Sequence, residues 1–282
     1  MKKTGQAEKT GQGIGQLKAA WYLCRDIYYD RSLLIDLSVK DVRRRFSGTY
    51  FGLAWGLLQP LMTILVYWLV FQYGFRSSDV GGVPFILWFI SGIIGWLYLS
   101  EAFSYASSSF LEYSYLIQKV KFNINILPLV KIFSSFYIHI FFFAIVCMIC
   151  LLFGYFSGIM LLQAVYYMLA EIVFIYALSL ITSSVMVFFR DLNQVIGILL
   201  MIGMWGTPIA WNMESLPAKV QQILKLNPVY YLVEGYRDAL LGRQWFWERP
   251  VLGAYFWALT AVIFLAGIHI YTRLRPYFAD TV

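Results

Sequence analysis

Glu101 and Glu171 stand inside long apolar runs of the sequence, where an ionisable side chain is costly and faces protein or water rather than lipid. Carboxylates so placed are raw material for a proton relay. A relay needs several such groups, and no Lys or Arg stands deep among them, so local pairing is the better reading of both. His139 and His269 also fall in apolar stretches. Two histidines build no Ser-His-Asp arrangement, and each reads as a packed, hydrogen-bonded residue. Cys147 and Cys150 form a C-x-x-C within an apolar run. A zinc site takes about four nitrogen or sulfur ligands and a redox pair expects a βαβ setting, so these read as buried apolar thiols. Gly11, Gly13 and Gly15 repeat in a polar tail. With no strand before them and no Lys-Ser/Thr after them, they cannot cradle phosphates as a P-loop does. The sequence thus points to no nucleotide site and no catalytic centre.

The elements that carry these residues are membrane helices. Of 282 residues, 60% are hydrophobic and 13% charged, against about 25% charged in a soluble domain. Aromatic residues make up 19%, which suits interfacial belts or a pathway lined with rings. The uncharged runs predict an all-α polytopic protein with six spans, at about 54–75, 84–108, 129–153, 160–189, 192–211 and 251–272, each judged against a hydrocarbon core of about 30 Å. The stretch from Ile132 to Ala170 has no charge and is too long for one span; Gly154 and Gly158 divide it. Residues 1–16 are polar, lack the apolar core of a signal peptide, and predict a disordered tail. Sixteen of the 22 basic residues fall on one side of this layout, so both termini are expected in the cytoplasm.

Two further elements flank the spans. Residues 17–48 predict an interfacial region ahead of the first span. Ile35, Val39, Val42 and Phe46 recur on one helical face, with Lys40, Arg43, Arg44 and Arg45 away from it, as in a basic amphipathic helix at the membrane surface. Between the fifth and sixth spans, residues 212–250 form an external segment. Asn227-Pro228 signals a helix start, and the apolar, aromatic stretch ending at Gly242 is too short to cross, so it suits an interfacial or re-entrant helix.

Three stretches carry a family resemblance: VRRRFSGTYFGLAWGLLQPLMTILVYWLVF at 42–71, VPFILWFISGIIGWLYLSEAF at 83–103 and LKLNPVYYLVEGYRDALLG at 224–242. In them, and in the six-helix layout, the chain resembles the membrane subunit of type-2 ABC exporters of cell-surface polymers. The Val-Pro-Phe start of the second span and Gly-Arg-x-Trp-Phe after the third stretch look closest to the wall teichoic acid branch, in a Gram-positive membrane. O-antigen permeases share most of the pattern.

The resemblance implies a homodimer joined to two copies of a separate ATPase, which would bind the ATP and Mg; this chain would hold no cofactor. The substrate would be a polymer on a polyprenyl diphosphate lipid, and nucleic acid is not an expected partner. Residues 109–124 would form the coupling loop, with Tyr115, Gln118, Lys119, Lys121, Phe122 and Asn123 meeting the ATPase. The helix at 32–46 would be the gate helix, and Lys40, Arg43, Arg44, Arg45 and Phe46 would meet the lipid diphosphate, since guanidinium suits phosphate geometry. Trp55, Tyr67, Trp68 and Phe71 of the first span and Trp205 and Trp211 of the fifth would line the path as rings on which sugars slide. Asn227, Pro228, Tyr231, Glu234, Arg237 and Asp238 make up the external motif, with the charges pairing to hold re-entrant helices together. A drug-efflux permease is disfavoured by that motif, an ion-driven carrier by the absence of an internal repeat, and a membrane-embedded enzyme by the missing ligand cluster.

Overall fold

The computed structural model describes residues 21–23, 25–48, 50–74, 76, 78–119, 123–155 and 157–281. The predicted tail 1–16, Lys121 and Phe122 lie outside them. The described residues are helical in the main: α1 Arg31–Phe46, α2 Trp55–Leu69, α3 Phe85–Glu112, α4 Ser114–Lys119, α5 Leu127–Leu152, α6 Gln163–Met186, α7 Leu192–Gly206, α8 Ala218–Leu224, α9 Pro228–Leu241, α10 Pro250–Leu274 and α11 Phe278–Thr281. Prolines start several of them, where a missing N–H costs nothing: Pro84 precedes α3, Pro128 and Pro228 open α5 and α9, and Pro250 opens α10.

Among the described residues five helical segments are long and apolar enough to cross a membrane: Trp55–Gly74, Phe85–Glu112, Ile124–Leu152, Gly158–Met186 and Pro250–Tyr277. The predicted fifth span differs. Its helix, α7, has 15 residues and a length of about 22 Å, short of the bilayer core. It stops at Gly206 rather than 211 because Pro208 follows. The residue before a proline is pushed out of the helical region, and Thr207 is extended, at φ −106° and ψ 136°.

The core lies between α3, α5, α6 and α9. Nineteen of the 28 residues of α3 are buried. Helix α9 is inserted among them, with ten of its 14 residues buried. Two glycines make that insertion possible. A Cβ on Gly92 of α3 would come within 2.7 Å of the Arg237 guanidinium, and one on Gly235 of α9 would overlap the Tyr167 ring. By contrast α2 has no buried residue, and α7 buries only Ile196 and Met204.

One end of the bundle gathers α1, the α3–α5 connection and the C-terminal turn. There Phe110 and Tyr271 pack on Phe278, at ring distances of 5.2 and 6.2 Å, and Asn123 Nδ2 donates to Asp30 Oδ2 at 2.7 Å. The other end gathers the α2–α3 and α5–α6 connections with α8 and α9. Tyr155 donates there to the Gly82 carbonyl at 3.1 Å and Gln163 to that of Gln244 at 2.9 Å.

Candidate functional site

Helix α1 is amphipathic, but its protein-facing side is the polar one. Leu34, Ser38 and Asp41 are the buried residues, and Arg45 continues that stripe. Ile35 and Val39 of the predicted apolar stripe are exposed, 54% and 38%. The reason is the set of partners on α3 and α5. Ser38 Oγ lies 3.2 Å from the Tyr137 hydroxyl. Lys131 Nζ donates to Asp41 Oδ1 at 2.8 Å and to Glu112 Oε2 at 2.5 Å, and Tyr113 donates to Asp41 Oδ1 at 2.7 Å. Arg45 donates to Glu101 Oε1 at 2.5 Å and to Ser134 Oγ at 2.9 Å, with its guanidinium 3.9 Å from the Tyr105 ring centre. Ile35 and Val39, turned outward, suit a helix lying along acyl chains, while Val42 and Phe46 of the same stripe are half-buried.

This network fixes the electrostatics of the α1 end. Burial works to raise the Asp41 carboxyl, but the hydrogen bond and charge of Lys131, with Tyr113 and Ser134, outweigh it and hold it below the usual carboxylate range. Burial and the hydrogen bond to Asp41 push the Tyr113 phenol up.

The expected diphosphate ligands therefore separate. Arg45 is drawn inward and paired. Lys40 and Arg43 are exposed, and Arg44 lies 3.8 Å from Glu112, half-turned to solvent. Phe46 packs toward Gly56 at the start of α2. Of the expected coupling residues, Tyr115 is half exposed on the short helix α4, which also carries Gln118 and Lys119, and Asn123 ties the end of that connection to Asp30.

The expected path residues divide by helix face. Tyr67 of α2 meets Trp205 of α7, ring centres 6.4 Å apart, and Trp211 donates from Nε1 to the Trp205 carbonyl at 3.1 Å. Trp55 stands 46% exposed on the same open face at the α1 end. Phe71 turns into the core against Phe85, and Trp68 packs on Tyr73. A cavity of about 520 Å³ opens between α1, α2 and α3 at the α1 end, lined by Arg45, Trp55, Gln59, Glu101 and Tyr105 among others.

The external motif builds the seat of α9. Asn227 caps the helix, accepting from the Val229 N–H at 3.0 Å, and donates to Thr207 Oγ1 at 2.8 Å. Tyr231 is buried, its hydroxyl 3.0 Å from that of Tyr166. Arg237 is fully buried and donates to three carbonyls, of Trp88, Pro208 and Ile209, at 3.2, 2.9 and 2.7 Å. It pairs with Glu234 at 2.5 Å and lies over the Trp88 ring. Asp238 pairs with Arg249 at 3.1 Å. Each charge is spent inside the protein.

Both intramembrane glutamates are locally bonded. Glu101 pairs with Arg45; Glu171, fully buried, accepts from the Tyr236 hydroxyl at 2.7 Å. His139 Nε2 lies 3.1 Å from the same hydroxyl. Tyr236, which joins the two, carried no motif signal. The available signal was that Glu171 and His139, set in apolar runs, each needed a polar partner.

A surface helix beside a polar network, an open face on α2 and α7 and the buried helix α9 are the features that frame this site. The sequence model of the ABC-2 type transporter family matches residues 34–241, and the chain belongs to that family. It is a multi-pass membrane protein. Curated relatives include the O-antigen export system permease protein RfbA of Myxococcus xanthus, 23% identical over 262 residues, covering 92% of this chain and 99% of that one. The protein of the same name from Klebsiella pneumoniae is 23% identical over 257 residues, covering 88% and 94%.

Proposed function

We propose that this chain is the membrane subunit of an ATP-driven exporter that carries a polyprenyl-diphosphate-linked surface polysaccharide of the O-antigen kind across the cytoplasmic membrane. The observation that carries this reading is the end-to-end match to permeases named for O-antigen export. Wall teichoic acid is the second reading; it rests on the Val-Pro-Phe and Gly-Arg-x-Trp-Phe stretches and would imply a Gram-positive host.

In either case ATP and Mg belong to a separate ATPase, whose groove receives α4. Exposed Tyr115 supports that role, and the α1 end then faces the cytoplasm. Two copies of the chain meet along α2 and α7, the face that the rest of the protomer leaves uncovered. Lys40, Arg43 and Arg44, exposed at the membrane surface, meet the diphosphate; Arg45 does not, being committed to Glu101. Depleting the chain from its host and identifying the lipid-linked material that accumulates tests the reading. A repeating glycan supports it, a polyol-phosphate polymer favours teichoic acid, and no accumulation removes polymer export.

A further inference from the structure

The 520 Å³ cavity at the α1 end has the size of a small-molecule site, roughly 300–1,000 Å³, and a mixed lining. Trp55, Gln59 and Thr63 come from α2, and Glu101, Ser104 and Tyr105 from α3. Gln59 is exposed on a helix whose other residues, Thr63 apart, are apolar or aromatic. A primary amide facing hydrocarbon costs about 1–3 kcal/mol unless it is hydrogen-bonded, so its position calls for a partner from outside the fold. Neither the Gln59 nor the Ser104 side chain takes part in the hydrogen bonds among the described residues. Pro60, next to Gln59, has no N–H to give the Gly56 carbonyl, and Gly56 also lines the cavity. The lining therefore offers acceptors and hydroxyls beside the rings of Phe46, Trp55 and Tyr105.

The charge of the cavity selects among ligands. Among the described residues Arg45 is the only cation in the lining, and it is paired with Glu101, hydrogen-bonded to Ser134 and stacked on Tyr105. The Arg45–Glu101 pair is neutral in sum, so what remains for a ligand is a neutral, hydrogen-bonding lining. A phosphodiester would find no free cation there. A pyranose would lay an apolar face on Trp55 and donate hydroxyls to Gln59, Thr63, Ser104 and Glu101. A second, shallower cavity of about 670 Å³ shares Trp55, Gln59 and Thr63 and continues to Val66 and Tyr67, so an occupant of the first is already at the foot of the aromatic face.

We infer that this cavity is a loading subsite that takes one or two uncharged sugar residues of the polymer before they pass along α2. The inference rests on the export reading and narrows its substrate to a neutral glycan.

The test places p-benzoylphenylalanine at Gln59, Ser104 or Trp205, or at lipid-facing Val262, in the full chain produced with its ATPase in the native host. Photolysis is followed by mass spectrometry of the adducts. Hexose-bearing adducts at 59 and 104, at least fivefold above 262, are expected. Polyol-phosphate adducts there, or lipid adducts at the level of 262, overturn the subsite. Sugar at 205 but not at 59 or 104 overturns the subsite and leaves export standing; sugar at none of the three overturns both. Separately, Gln59→Leu, which keeps the helix apolar, is expected to slow export about fivefold, the effect of one hydrogen bond. Unchanged export in that variant counts against the subsite.

Discussion

Lys131 is the residue on which the α1 end depends. Its ammonium is 5% exposed and holds Asp41, itself 2% exposed, at 2.8 Å. Removing one member of a buried pair strands the other charge, at a cost of about 3–5 kcal/mol. Lys131→Ala is therefore expected to lower the unfolding temperature of the detergent-solubilised chain strongly. Arg43→Ala, on the exposed side of α1, is expected to stay within about 0.5 kcal/mol of wild type. The pair also sets a pH response. Because Asp41 is held below its usual range in the folded protein, its contribution is present above about pH 4, the unfolded carboxylate range, and is lost as pH falls through the lower folded value. The unfolding temperature should drop in acid, and Lys131→Ala should flatten that drop; an unchanged acid limb in the variant would assign it to other carboxylates. Little of this pairing was legible in the sequence. Glu101 and the arginines carried a signal, but Lys131 and Glu112 carried none: 90 residues separate Asp41 from Lys131, and only the packing of α1 across α3 and α5 joins them.

At the scale of elements, α9 shows where sequence reading stops. Asn227-Pro228 and Gly242 mark its ends, and the structure has the cap and the left-handed Gly242 at φ 65°. Its depth was not legible, since a short apolar, aromatic helix fits an interface as well as a core. What decides is a cradle assembled from afar: the carbonyls of Trp88, Pro208 and Ile209 around Arg237, and glycines where two backbones must approach. The face of α1 failed to show for a related reason. Its apolar stripe was correctly periodic, but lipid and protein can each cover such a stripe, and buried acceptors for Arg45 gave the polar side to the protein. Two expectations follow for α9. Asn227→Ala should cost about 1 kcal/mol through the lost cap, read as a shift in thermal unfolding. Gly235→Ala forces a methyl group into the Tyr167 ring and should abolish the monodisperse peak in size-exclusion chromatography. Gly197→Ala on α7, where a Cβ meets open space, should leave that peak intact. Equal behaviour of the two alanines would mean that α9 is not seated as described.

For the molecule as a whole, the question is what covers α2 and α7. Helix α10 also presents an apolar face, with Val251 and Val262 exposed, and lipid suffices there. The α2/α7 face is different in kind. It exposes Gln59 beside Met62, Ile198 and Trp205, and lipid offers that amide no partner. Helix α7, at about 22 Å, is also too short to shield itself across the bilayer core. A second copy meeting this face would enclose Gln59 and both cavities in a shared, wetted path, whereas a single copy would leave Gln59 in hydrocarbon. In a chain whose Cys24, Cys147 and Cys150 are changed to alanine, Met62→Cys and Ile198→Cys should give disulfide-linked dimers in oxidised native membranes, and Val262→Cys on α10 should not. Dimers from position 262 alone would put the partner on the other side of the protomer and leave Gln59 facing lipid, and the path along α2 would have to be abandoned with it.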